Sequence, residues 1–260
     1  MCLIVFQWQP EQPDWLTLAA NRDEFFARPT ATLQPWPDHP DMIAGRDLEA
    51  GGSWMGMASG LRFAAVTNIR NGQPDKTRRS RGELVSTYLQ GTQSPADYIA
   101  ALLPIAAQFG LFNLLCGDRH QLWYLRNHPE PHAEALSPGL YALSNAALNS
   151  PWPKAELARQ QLRQWLDLHP LRHTAAQATA GWQLAALLDR RQPFADEQLP
   201  ATGVPLEWER WLSAQFIQAP GYGTRSGSSL IGYQQQLCIS ELGFDEQAQI
   251  HSRQQWQHPG

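Results

Sequence analysis

The sequence is poor in the features that mark specialised protein classes. It has three cysteines in 260 residues, Cys2, Cys116 and Cys238, and they show neither metal-ligand nor disulfide spacing. An odd set of cysteines without a secretory leader points to a reducing, cytoplasmic setting. Long apolar runs are missing too. The opening stretch loses its apolar character after a few residues, too soon for a secretory h-region. Nothing approaches the roughly 18 apolar residues of a membrane helix. Charge of one sign is also absent: charged residues make up 17% and the net charge is −4. That excludes a nucleic-acid footprint or a polybasic membrane surface. The one dense basic cluster, Lys76-Thr77-Arg78-Arg79-Ser80-Arg81, reads as a solvated loop before a helix or as a grip for a phosphate or acidic ligand. With no internal repeat and no long linker, a single domain over residues 2–260 is expected.

What is present is an ordinary globular balance, 43% hydrophobic, with 11 Trp and 20 Pro. Tryptophans spread along a chain serve as core packing or line a pocket for a flat, greasy ligand. Residues 3–8 and 15–20 are short apolar runs around a turn-rich segment, the pattern of a hairpin. The proline-rich passage 29–40 reads as loop. Residues 53–58 and 61–66 read as strands joined by the two-residue turn Ser59-Gly60. Helices are expected over 82–89, 95–108, 153–168 and 179–190, with Ser94-Pro95 as a helix start. Strands are expected over 111–116, 121–125, 141–144, 228–233 and 236–241, and an edge strand within 247–256. This order, strands then helices then strands, suits an α+β fold of two antiparallel sheets with helices outside them.

Cys2 is the first candidate for chemistry. A small residue after Met1 permits removal of the methionine, which leaves a cysteine with a free α-amine. That amine has a reference pKa of about 7.7–8.0 and can act as base for its own thiol. The alternative is a small buried residue opening a strand. Asn21-Arg22-Asp23-Glu24 ends the second strand and can lie beside the first. An arginine there favours a thiolate and a carboxylate can hold the amine; a strand-end salt-bridge cluster is the other reading. Asn68 and Asn145 end strands, where amide donors build an oxyanion hole or cap a turn.

At these residues the sequence resembles the NRDE family, the family of transport and Golgi organisation protein 2. The likeness runs from Asn21-Arg22-Asp23-Glu24 through Gly45-Arg46-Asp47, Gly51-Gly52-Ser53-Trp54-Met55-Gly56 and Ala65-Val66-Thr67-Asn68. It continues through Ser80-Arg81-Gly82, Asn113-Leu114-Leu115, Leu143-Ser144-Asn145 and Pro151-Trp152-Pro153-Lys154 to Tyr222-Gly223-Thr224-Arg225. Cys2, Arg22, Asp23, Asn68, Asn145 and Arg225 are also similar in position to residues used by N-terminal nucleophile (Ntn) hydrolases of the cholylglycine hydrolase and penicillin V acylase branch. The resemblance implies a four-layer αββα sandwich. It implies Cys2 as nucleophile, Arg22 and Asp23 setting its protonation and orientation, and Asn145 with Asn68 at the oxyanion. It places Asn21, Glu24, Thr67 and Arg225 at the substrate, Arg225 either holding the site together or meeting a carboxylate. Because adjacent strand residues face opposite ways, at most one of Arg22 and Asp23 points straight into the site unless the strand ends there, and Asn21 or Glu24 is the alternative for the other role.

Two functions follow from the resemblance. One is a cytoplasmic hydrolase acting on a small acyl compound, a non-peptide amide, thioester or ester, with no cofactor. The other is a carrier or chaperone for haem or a lipid-like ligand, since family members are connected with haem trafficking and lipid metabolism. The eight histidines, among them His128, His132, His169 and His173, are scattered and read as surface residues, whereas Cys2 suits an iron ligand.

Overall fold

The computed structural model of the chain describes residues 2–73, 79–169 and 174–259. Lys76, Thr77 and Arg78 of the basic cluster, and His173, lie outside the described residues.

The first hairpin pairs β1 (Cys2–Trp8) with β2 (Leu16–Phe25), the second β3 (Thr30–Trp36) with β4 (His39–Asp47), and the third β5 (Met55–Ala58) with β6 (Arg62–Asn68). α1 (Gly82–Gln90) and α2 (Pro95–Leu102) follow. Ser94 Oγ caps α2 by accepting from the Asp97 amide at 3.1 Å, and after Leu102 the chain tightens into a 3₁₀ turn, Leu103–Gln108. β7 (Phe112–Gly117), β8 (Leu122–Arg126), β9 (His132–Ala135) and β10 (Gly139–Leu143) precede α3 (Pro153–Leu168), α4 (Thr174–Ala185) and α5 (Leu206–Ser213). The last strands are β11 (Gln218–Ala219), β12 (Tyr222–Tyr233), β13 (Gln236–Phe244) and β14 (Ile250–Pro259).

The strands form two sheets of seven, antiparallel at every pairing. The first runs β10-β1-β2-β12-β13-β14, with β11 beside β12; the second is a meander from β3 to β9. Side-chain alternation sorts the layers. Ile4, Phe6, Trp8, Leu16 and Leu18 face inward, onto Met57, Phe63, Leu115 and Tyr124 of the second sheet. Leu3, Val5 and Ala19 face outward onto Ala158 and Leu162 of α3 and Leu184 of α4. Val66 and Leu114 meet Leu84 and Val85 of α1 and Ile99 of α2. The result is the expected α+β, four-layer αββα sandwich. Each fully buried Leu or Phe in these layers contributes about 1.5–3 kcal/mol.

Several expectations need correction. Residues 29–40 are not loop: they hold β3 and the start of β4. β3 is a sheet edge with register shifts on either side of Gln34-Pro35, and edges and bulges are where a strand tolerates proline. The third hairpin turns over three residues, since Ala58 pairs with Arg62, and Gly60 and Leu61 both take positive φ, 71° and 56°. α4 occupies 174–185 and not 179–190, because its Ala- and Gly-rich start builds a helix without an apolar stripe. β9, β11 and α5 are additions to the expected elements: the two strands are only four and two residues long, and α5, though amphipathic, spans only eight residues after a proline-rich stretch. Among the described residues no helix is long and apolar enough to cross a membrane.

Candidate active site

β1 is an interior strand, and its ladder with β2 ends at the pair Cys2↔Arg22. Alternation turns both side chains toward the second sheet, as Ile4 and Ala20 are turned. There they open into a cleft of about 440 Å³ lined by Cys2, Arg22, Asp23, Glu24, Asn68 and Trp54, among others. Its rim carries Arg28, Asp47 and Glu49, and Ser80, Arg81 and Gly82 at the start of α1.

Cys2 is buried, with 9% of its surface exposed. Burial pushes its thiol pKa up; the positive chain terminus and Arg22 pull it down, and Asp23 pushes it further up. The net direction is upward, so the expected thiolate gives way to a protonated thiol. Arg22 is also buried. Its guanidinium lies 4.3 Å from the Trp54 ring centre, and its Nη1 has no hydrogen-bond partner among the described residues.

Asp23 follows Arg22 on β2 and faces the opposite way. Its Oδ1 accepts from Thr224 Oγ1 at 2.7 Å, deep in the structure. Burial raises its pKa, against the pull of the chain terminus, Lys154, the Thr224 hydrogen bond and Arg22. Arg22 and Asp23 nevertheless both line the cleft, because β1 stops at Cys2 and leaves the flank of β2 open beyond it. Glu24 is half-buried on the cleft wall and accepts from the Phe25 amide at 2.9 Å.

The two asparagines divide the expected roles. Asn68 lines the cleft, and its side-chain amide makes no hydrogen bond among the described residues. Asn145 is buried to 1% and its amide is committed, donating to the Asn68 carbonyl at 3.0 Å. Thr67 donates to the Ser144 carbonyl at 2.6 Å and accepts from Asn113 at 3.1 Å. It braces the floor of the site without lining it. Asn21 turns to the helical layer, donating to the Leu188 and Gln215 carbonyls at 2.8 and 2.9 Å. Arg225 sits at the bulge of β12 between Thr224 and Ser226. Its Nη1 clasps the carbonyls of Phe25 at 2.9 Å and Arg28 at 3.0 Å.

Sequence reasoning passed over three groups. Trp54 is the apolar wall against Arg22. Glu241, on β13, accepts from the Leu33 amide of the other sheet at 2.8 Å, and burial raises its pKa. Lys154, in the first turn of α3, is buried to 2% and donates to the Leu212 carbonyl at 2.8 Å. Burial lowers its pKa from 10.5 to about 8. Only the position of Lys154 inside the quoted Pro151-Trp152-Pro153-Lys154 segment signalled it. Among the described residues no three His, Cys, Asp or Glu side chains are placed to hold a metal ion.

Comparison with known proteins gives the site a context. The family model for Transport and Golgi organisation 2 matches residues 1–244. The human Transport and Golgi organization protein 2 homolog is 30% identical over 250 residues, covering 89% of this chain and 88% of that protein. The Drosophila melanogaster Transport and Golgi organization protein 2 is 28% identical over 251 residues, covering 89% and 87%. Among solved structures, the Caenorhabditis elegans N-acylethanolamine-hydrolyzing acid amidase ortholog superposes with a TM-score of 0.50 at 10% identity, over 89% of this chain and 93% of that one. Penicillin V acylase from Agrobacterium tumefaciens gives 0.45 at 10%, over 92% and 82%. These likenesses are of fold.

Proposed function

Because the chain belongs to the Transport and Golgi organisation 2 family and has an Ntn-hydrolase-like fold, we propose that it is a cytoplasmic hydrolase. Cys2, freed by removal of Met1, attacks the acyl carbon of a small non-peptide amide, thioester or ester. The observation that carries this reading is the end of the β1 ladder at Cys2↔Arg22. It brings the thiol into the cleft that Asp23 also lines.

In the proposed reaction the neutral thiol gives its proton to the α-amine of Cys2, and sulfur bonds to the acyl carbon. The Asn68 amide donates to the resulting oxyanion, while Asp23 holds the ammonium. The leaving amine, thiol or alcohol departs with that proton, and a thioester on Cys2 remains. Water then adds to the thioester with the amine as base, releasing the acid and restoring the thiol. A thiol held protonated by burial suits this scheme, since the amine next to it removes the proton during attack. Asn145 and Arg225 act at one remove, by fixing the Asn68 backbone and the loop after β2.

The carrier reading has less behind it. The walls of the cleft are largely guanidinium and carboxylate groups, with Trp54 and Val66 among its few apolar surfaces; a haem or lipid tail needs more.

The test is an intact mass of the protein from bacterial cytosol, then a screen of N-acyl compounds, thioesters and esters with wild type and Cys2→Ser. Loss of Met1, a transient acyl adduct on Cys2, and turnover lost in Cys2→Ser are expected. Retained Met1, or equal turnover in Cys2→Ser, sinks the reading.

A further inference from the structure

Asn68 stands where β6 stops. The ladder with β7 ends at the pair Asn68↔Phe112, and residues 69–73 belong to no strand. A side chain at such a point has no sheet beyond it to fix its direction, yet the backbone here is held. The Ile69 amide donates to the Leu111 carbonyl at 3.1 Å and the Arg70 amide to the Asn145 carbonyl at 2.8 Å. The Asn145 side chain returns the contact, donating to the Asn68 carbonyl at 3.0 Å. One asparagine thus grips the chain on both sides of Ile69.

The Arg70 side chain carries the grip further. Its guanidinium pairs with Glu209 of α5 at 3.0 Å, the two side chains only 4% and 5% exposed, and lies 4.8 Å from the Trp152 ring centre at the start of α3. The other oxygen of Glu209 accepts from the Thr202 amide at 2.9 Å and from Thr202 Oγ1 at 2.6 Å. Next to this, Gly72 lies so close to Gly203 that a Cβ on Gly72 would stand 2.4 Å from the Gly203 carbonyl oxygen. A buried ion pair adds little net stability over an apolar pair of equal volume, because both ions lose their water. Here it joins the segment after Asn68 to the segment 202–209, more than 130 residues away in the chain.

We propose that Arg70 is a positioning residue: its buried pair with Glu209 holds the chain beyond β6 and so sets where the Asn68 amide stands in the cleft. The inference rests on the hydrolase reading for its purpose, since Asn68 is the oxyanion donor of that reaction. Arg70 itself touches neither Cys2 nor the acyl group. It acts through the backbone of residues 68–70 and through Asn145, and an oxyanion donor displaced by a fraction of an ångström loses much of its effect.

The experiment compares two reactions of Cys2 in wild type and in the double variant Arg70→Met/Glu209→Gln. The double variant is used because Arg70→Met alone leaves Glu209 as a lone buried charge and can fail to fold. Acylation by p-nitrophenyl acetate passes through an oxyanion; alkylation by iodoacetamide does not. In the double variant acylation slows about tenfold or more, while alkylation stays within about twofold of wild type. Unchanged acylation overturns the proposal, and so does an equal fall in both reactions, which marks a general loss of structure. Amide hydrogen exchange gives a second reading that needs no chemistry at Cys2. In the double variant the amides of residues 69 and 70 exchange about tenfold faster relative to that of Val66 within β6; an unmoved ratio overturns the proposal. Failure of the hydrolase reading is separate: wild-type Cys2 then takes no acyl group, and the exchange ratio alone decides whether Arg70 holds the segment.

Discussion

Replacing Lys154 by Met has an effect on stability whose pH dependence can be worked out in advance. Unfolded, the lysine binds its proton near 10.5; folded, burial lowers this to about 8. Between those values the unfolded chain holds one proton more, so folding stability rises with pH by about 1.4 kcal/mol for each pH unit. Below 8 both states are protonated and the penalty of burying the charge is constant, about 3 kcal/mol. The variant has no such group. The difference in unfolding free energy, wild type minus Lys154→Met, therefore rises by about 2 kcal/mol from pH 7.5 to 9.5. Packing changes and the orphaned Leu212 carbonyl alter that difference equally at both pH values and drop out. Urea unfolding at the two pH values reads it directly: with a slope of about 3 kcal/mol per molar, the gap between midpoints changes by roughly 0.6 M. A gap that stays constant across the two pH values refutes the assignment of Lys154 as a buried titrating amine.

Asn68→Ala leaves thermal stability within about 1 kcal/mol, because the amide has no partner to lose among the described residues, yet slows acylation of Cys2 by a reactive ester about 10²–10³-fold; equal rates would remove Asn68 from the oxyanion. Asn145→Ala behaves oppositely in stability, losing about 1–2 kcal/mol in a melt because its amide holds the Asn68 carbonyl. Gly232→Ala places a Cβ 2.3 Å from Cε2 of Trp15, and costs about 1–3 kcal/mol by overpacking, measurable by urea unfolding. Arg225→Met frees the carbonyls of Phe25 and Arg28, and chymotrypsin then cuts after Phe26 roughly tenfold faster, with little change in global stability.

The helical period of 153–168 and the alternation of the first hairpin are plain in the sequence because the layers each face is buried against are continuous. The reach of β2 through Asn21-Arg22-Asp23-Glu24 is less plain, since a charged tetrapeptide looks like a strand end until its partner β12 is known. β3 is hidden by Pro35, which only an edge strand accommodates, and α4 by a composition of small residues that packs against β12 and β13 without a stripe. At the site, residues on one strand can be placed by register, as Cys2 and Arg22 are. Which asparagine is free cannot: that depends on the Asn145 amide meeting the Asn68 carbonyl across the fold. Lys154 is unreadable for the same reason, as its partners Leu212 and Gln215 come from α5 and the stretch after it.

The sheet that holds Cys2 is sewn from segments far apart in the chain: β2 pairs with β12, Asn21 opposite Gly227, and β1 with β10, Ile4 opposite Leu143. The meander from β3 to β9 needs only residues already made and can assemble while synthesis continues. The sheet that carries Cys2 has to wait for the ribosome to reach β12 before it closes. A chain truncated before β12 can therefore complete the meander and the β10-β1-β2 ladders but leaves β2 with an open edge, and the sheet that carries Cys2 stays unfinished.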